Sequence, residues 1–225
     1  MQIAVIIPTL NEEQALPDTL ARTVRLGFDE IVVVDGGSTD RTRAIAASHH
    51  VRCVTSAPGR ARQMNAGAAH SRSDVLLFLH ADTHLPNTAR HAIERALNDS
   101  ACAGGRFDIR FERDTGMAWL IARLINLRSR WSGIATGDQA LFVRREVFAK
   151  LEGFADLPIM EDVDFTRRLK RAGRVTPLHA QVTTSYRRWK RHGAVRTIVL
   201  MWTLRFLYWV GIHPGRLHRF YTAIR

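Results

Sequence analysis

The sequence predicts an α/β fold: a doubly wound, mostly parallel sheet flanked by helices, with a basic and apolar helical appendage at its C-terminal end. Three observations predict it. Short apolar runs at 3–7, 30–34, 51–55 and 75–79 have the length and β-branched content of buried parallel strands. Helical stretches lie between them, in the β-α-β-α rhythm of a sheet built from crossover units. Past Tyr186 the composition changes: "YRRWKRHG" is basic and aromatic, and 195–212 is strongly apolar.

The elements follow in order. The strand at 3–7 is closed by Pro8. Residues 13–26 form an amphipathic helix with Leu16, Leu20 and Val24 four apart. The strand at 30–34 ends in Asp35-Gly36-Gly37-Ser38-Thr39-Asp40, a turn in which Ser38 is placed to cap the next helix. Strand 51–55 precedes helix 60–70, and strand 75–79 precedes helix 87–98. The pattern then loosens into a strand at 103–111, a helix at 117–129, a strand at 139–144 and a helix at 161–172. Residues 1–185 thus read as one unit and 186–225 as a helical extension. Arg196 and Arg205 interrupt the apolar segment, and the stretch from Ile198 to Ile212 falls short of the roughly 20 residues a membrane-spanning helix needs. It reads as a helix docked on the domain or lying on a membrane surface.

The 46% hydrophobic content of the 225 residues argues against disorder. A net charge of +12 favours an anionic partner: a phosphorylated small molecule, a nucleic acid or an anionic membrane surface. Cys53 and Cys102 have no metal-type spacing and give no disulfide framework, which suits a reducing compartment. The N-terminus lacks a basic region and a small-residue cleavage site, so no signal peptide is expected, and the expected location is cytoplasmic or peripheral at the inner face of the membrane.

Ligands of open α/β sheets bind beyond the carboxyl ends of strands, where crossover direction switches. Here those ends deliver Pro8, Thr9 and Glu12, then Asp35, then His80 and Asp82 from "LFLHADTHLP". Carboxylates at a nucleotide site accept hydrogen bonds from ribose or base, or hold a divalent cation against a diphosphate. Each residue also has a plainer reading. Asp35 before two glycines is turn chemistry. Glu12 is a favourable first-turn charge. Asp82 is a turn former, and His80 a satisfied core histidine. Their shared location sets them together.

The segments "IIPTLNEE", "IVVVDGGSTDRT", "GRARQMNAGA", "LFLHADTHLP", "TGDQALFVRREVF" and "MEDVDFTRRLKRAG" appear in one order over residues 2–173. The ordered set resembles a family 2 glycosyltransferase of the GT-A fold, which uses a nucleotide-diphospho-sugar donor. The compact form, with "HADT" and "RRWKRHG", is most similar to a small bacterial subgroup labelled arsenosugar-biosynthesis glycosyltransferases. The resemblance implies roles. Pro8, Thr9 and Glu12 line the nucleotide pocket, and Asp35 binds base or ribose. Arg60 and Asn65 close over the nucleotide. Asp82 matches the last carboxylate of the Asp-x-Asp element, which holds Mn²⁺ or Mg²⁺ against the donor phosphates. A UDP-sugar is the expected donor. His80 stands where that element has its first Asp. Either Asp82 holds the ion with water and phosphate, or imidazole joins and biases the site toward Mn²⁺, or His80 bonds the nucleotide alone.

On the acceptor side the resemblance makes Asp162 the general base of an inverting transfer to an acceptor hydroxyl. Glu161, about 100° away on a helix, orients the acceptor. The plainer reading is that both complement a helix N-terminus. Gly137, Asp138 and Gln139 sit at the donor–acceptor junction or form a turn entering a strand. Arg188 and Trp189 resemble part of the Gln-x-x-Arg-Trp element of processive synthases, or open an interfacial helix. A dinucleotide-dependent oxidoreductase is excluded, because the first turn lacks G-x-G-x-x-G. The alternative is an α/β protein that binds nucleic acid or a membrane surface without transferase activity. No recognisable nucleic-acid module accompanies the charge, so no nucleic acid is expected.

Overall fold

The computed structural model describes residues 1–224, with the side chains at 188, 191, 192 and 222–224 outside that description. Eight strands form one mixed sheet: β1 (Ile3–Thr9), β2 (Glu30–Asp35), β3 (Arg52–Thr55), β4 (Val75–Phe78), β5 (Thr83–His84), β6 (Cys102–Phe111), β7 (Leu141–Arg144) and β8 (Arg174–Thr184). Their order is β3-β2-β1-β4-β7-β6-β8-β5. Strands β3, β2, β1 and β4 run parallel, while β7 is antiparallel to both β4 and β6. The chain therefore moves outward from β1 to β3 and returns across β1 to β4. The switch point lies between the ends of β1 and β4, which puts a crevice at Pro8–Glu12 and His80–Asp82.

Side-chain alternation along β1 explains the layers. Ile3, Val5 and Ile7 enter one core, and Ala4 and Ile6 the other. The first core is closed by α1 (Leu16–Arg25), α2 (Thr42–Ser48), α4 (Ala89–Leu97) and α5 (Gly116–Ser132). The second is closed by α3 (Arg60–His70), α6 (Arg145–Lys150) and α7 (Glu161–Ala172). Each fully buried Ile or Leu contributes roughly 1.5–3 kcal/mol, which is why this central sheet tolerates no polar interruption. After α8 (Arg187–His192), α9 (Ala194–Trp209) and α10 (Pro214–Ile224) dock through Leu204 and Leu217 onto Met160, the residue before α7. Among the described residues no helix is long and apolar enough to cross a membrane.

Some elements differ from the sequence reading. Helix α1 starts at Leu16 rather than 13, where Pro17 fits the first turn. Ser38 caps no helix: its Oγ accepts the Asn11 N–H at 2.9 Å, and α2 starts four residues later. Helix α5 runs on to Ser132 and stops at Gly133 in the left-handed conformation, φ 67°. Strand β8 has no counterpart among the elements expected from sequence, because Pro177 and alternating polar residues mask it. It nonetheless pairs with β6 along its length, through two register shifts.

Strand β6 is squeezed between β7 and β8 at Gly104 and Gly105. A Cβ on Gly105 would collide with the Thr176 carbonyl oxygen and the Phe142 ring. Gly105→Ala is expected to lower stability by about 1–3 kcal/mol, read as a lower urea midpoint with unchanged slope.

Candidate active site

A cleft of about 760 Å³ opens at the switch point, within the range of ligand-sized pockets. Strand ends supply Pro8 and Glu12 on one side and His80 and Asp82 on the other; Arg60, Gly137, Asp138 and Asp162 complete its floor. The first two loops are stitched together. Thr39 N–H donates to Asn11 Oδ1 and Glu12 N–H to Thr42 Oγ1, both at 2.9 Å. This fixes the backbone that carries the Glu12 carboxylate.

At one end of the cleft, Arg187 Nη2 lies 3.8 Å from Glu12 Oε2 and 3.9 Å from Asp82 Oδ2. Burial, then the neighbouring Asp82 charge, pushes the Glu12 carboxyl above its ordinary value, while Arg187 and Arg60 oppose the shift. Two carboxylates sharing one exposed guanidinium form a locus that favours added positive charge. Among the described residues no three His, Cys, Asp or Glu side chains cluster as a ready-made metal site. Glu12 and Asp82 could hold a divalent cation only if its remaining oxygens came from water and a phosphate group, the arrangement common for Mg²⁺.

His80 has a packing role. A Cβ on Gly137 would collide with His80 Nε2, so the ring and the glycine are in close contact. Gly137 N–H in turn donates to Asp162 Oδ2 at 2.8 Å, and Val163 N–H to Asp162 Oδ1 at 2.7 Å. The end of β4 thus abuts the loop that holds the Asp162 carboxylate. Burial raises the Asp162 pKa, against the pull of the Gly137 amide and Arg60. Glu161 is 5% exposed and does not line the large cleft. It faces Arg60 at 3.8 Å. Burial first, then the Asp162 charge, pushes the Glu161 carboxyl up to about 7.

That shift has a stability consequence. The folded state holds the Glu161 proton to about pH 7, whereas the unfolded chain releases it near the ordinary 4.5. Stability is therefore fully present below about 4.5 and is lost as pH rises through 7. Over that window the loss is on the order of 3 kcal/mol, and Glu161→Gln should flatten it in denaturant titrations at pH 5 and pH 8.

Other residues singled out by the sequence lie behind the cleft rather than on it. Asp35 is 1% exposed and accepts the Gly37 and Ser38 N–H groups, at 3.2 and 3.1 Å. Thr9 is buried, its hydroxyl on the Val34 carbonyl. Asn65 pairs with both backbone groups of Phe154. Gln139 is fully buried, closing the Thr136 turn that presents Gly137 and Asp138. Trp189 does line the cleft, stacked on Tyr186 at 6.3 Å. The Arg188 side chain lies outside the described residues.

The remaining wall escaped the sequence reading. It is apolar, built from α5 and α9, with Arg128 and Arg205 set into it. Its signal lies in "MAWLIARLINLRSRW", which carries more large apolar residues than one core-facing stripe requires.

Comparison with known proteins fits this geometry. The family model for glycosyl transferase family 2 matches residues 4–152. The chain belongs to glycosyl transferase family 2. It is 29% identical over 202 residues to the probable glycosyltransferase YdaM of Bacillus subtilis, covering 76% of this chain and 47% of that protein. It is 34% identical over 157 residues to an undecaprenyl-phosphate 4-deoxy-4-formamido-L-arabinose transferase of Pseudomonas paraeruginosa, covering 63% and 46%. This family 2 chain thus spans about half the length of these curated relatives. Its fold matches S. aureus TarS 1-349 in complex with UDP-GlcNAc (TM-score 0.65, 19% identity, 82% of this chain and 58% of that one). It also matches glucosyl-3-phosphoglycerate synthase of Mycobacterium tuberculosis in complex with Mn²⁺, UDP and glucosyl-3-phosphoglycerate (TM-score 0.59, 19% identity, 80% of this chain and 70% of that one). The expected GT-A architecture is therefore present.

Proposed function

We propose that the protein is an inverting, metal-assisted transferase that moves a sugar from a nucleotide-diphospho-sugar, with UDP as the carrier, to an acceptor hydroxyl. The observation that carries this reading is that Asp82 and Asp162 line one cleft while Glu161 does not. Asp82 would hold Mn²⁺ or Mg²⁺, which when bound neutralises charge on the donor diphosphate. Glu12 and Pro8 line the nucleotide end, and Arg60 and Arg187 supply positive charge beside the departing phosphates. Asp162 takes the acceptor proton as the hydroxyl oxygen bonds the anomeric carbon and the diphosphate leaves on the opposite face. Residues 1–185 act as the transferase unit and 186–225 as a cover on its acceptor side. The UDP-GlcNAc and Mn²⁺–UDP complexes of the fold neighbours support the donor and metal. Membership of the small bacterial subgroup labelled arsenosugar-biosynthesis glycosyltransferases is part of this proposal and names no acceptor. The basic, apolar end of the chain suits peripheral contact with the inner face of a membrane.

A thermal-shift panel of UDP-, GDP- and dTDP-sugars, with and without Mn²⁺, tests it. A UDP-sugar is expected to raise Tm, and further with Mn²⁺. No stabilisation by any nucleotide-sugar would overturn the reading.

A further inference from the structure

Two segments meet at the Asp162 carboxylate. Gly137 N–H donates to its Oδ2 at 2.8 Å, and Val163 N–H to its Oδ1 at 2.7 Å. Each segment carries a non-glycine residue in the left-handed region: Ala140 at φ 46° and Met160 at φ 69°. A residue with a Cβ keeps that conformation only where its surroundings over-determine it. Ala140 is fully buried in the first core, immediately before β7. Met160 belongs to neither core of the sheet. It begins α7, its carbonyl accepting the Asp164 N–H at 2.9 Å, and no side chain caps that start.

What surrounds Met160 is the end of the chain. It is buried in a third cluster with Leu204 of α9 and Leu217 of α10. Among the described residues, the sheet-bearing unit supplies only Ile159, Met160 and Val163 to that cluster; α9, α10 and their connection supply the rest. These three residues bracket Glu161 and Asp162 in the chain. Val163 serves both sides: its side chain packs against the extension while its N–H holds the Asp162 carboxylate.

We propose that the C-terminal extension positions the base: Leu204 and Leu217 bury Met160, and the left-handed turn held in this way aims Asp162 into the cleft. This rests on the reading of Asp162 as the base, and it gives residues 186–225 a role beyond covering the cleft. Met160, Leu204 and Leu217 are then positioning residues, and none of them lines the cleft. Undocking of α9 and α10 frees Met160 to leave the left-handed region. Glu161 and Asp162 turn with it and the bond to Gly137 is lost, while the sheet stays intact.

Native-state hydrogen exchange at low urea tests this in the wild-type chain without any substrate. The Gly137 and Val163 amides are expected to open together with those of α9 and α10, with the same urea dependence, and about tenfold or more faster than those of β1. Leu217→Ala should speed exchange at Gly137 and Val163 by about tenfold and leave β1 unchanged. Adding Met160→Gly should restore protection at those two amides while α9 and α10 stay loose, because glycine enters the left-handed region without a Cβ penalty. If Met160 only filled space, its removal would deepen the loss instead. Gly137 and Val163 exchanging with the sheet, no change in Leu217→Ala, or a double variant less protected than Leu217→Ala would each overturn the proposal. The wild-type result decides even if Leu217→Ala fails to fold. Stabilisation of the same samples by UDP reads the donor end separately. Its absence in the wild type would count against the transferase reading, whereas the exchange pattern alone decides the role of the extension.

Discussion

Asp162→Asn is expected to cut turnover by about 10³-fold while leaving the fold and donor affinity intact. The amide nearly matches the carboxylate in shape, and its oxygen can still accept the Gly137 N–H that fixes the loop. What it cannot do is take a proton. Positioned general bases supply about 10²–10⁴ in rate, so loss of that function alone predicts the effect. A second readout follows from the charge pair. Asp162 helps raise the Glu161 pKa, so its neutralisation should shrink the decline of stability between pH 5 and pH 8. A structural role for Asp162 would instead appear as lost stability with proportional loss of donor binding.

Asp82→Ala is expected to lower turnover by about 10²-fold and to remove the effect of Mn²⁺ on donor affinity. The side chain is 29% exposed, and its ion pair is a 3.9 Å contact to the exposed Arg187. Such a pair contributes about 0–1 kcal/mol, so the variant should unfold close to wild type. Its charge matters to the site, however. Removing it takes away one cause of the raised Glu12 pKa and leaves Glu12 alone beside Arg187. Donor should then bind weakly and equally with or without metal, as measured by calorimetry in Mn²⁺ and in chelator.

These expectations separate what sequence makes visible from what folding adds. The four parallel strands were legible because each is an unbroken apolar run. β8 was not, because Pro177 and its polar neighbours look like loop. Ser38 looked like a helix cap because caps are local motifs. Its partner, the Asn11 N–H, lies 27 residues away and is brought near only by the β1–β2 pairing. The positions of Asp82 and Asp162 followed from the strand-end rule and the ordered motifs, and both reach the cleft. Asp35, Asn65 and Gln139 share those motifs, yet their polar atoms are engaged in turns and backbone pairs that spacing does not reveal. Arg128 and Arg205 are the opposite case. Nothing local marks them, and only the packing of α5 beside α9 sets both in one wall.

The most direct measurement is a donor titration by calorimetry on wild type, Asp82→Ala and Asp162→Asn, each with Mn²⁺ and with chelator. If one cleft divides leaving-group binding from proton removal, Asp162→Asn binds the UDP-sugar as wild type does, while Asp82→Ala alone loses the Mn²⁺-dependent gain. Equal loss in both variants, or in neither, would contradict that division.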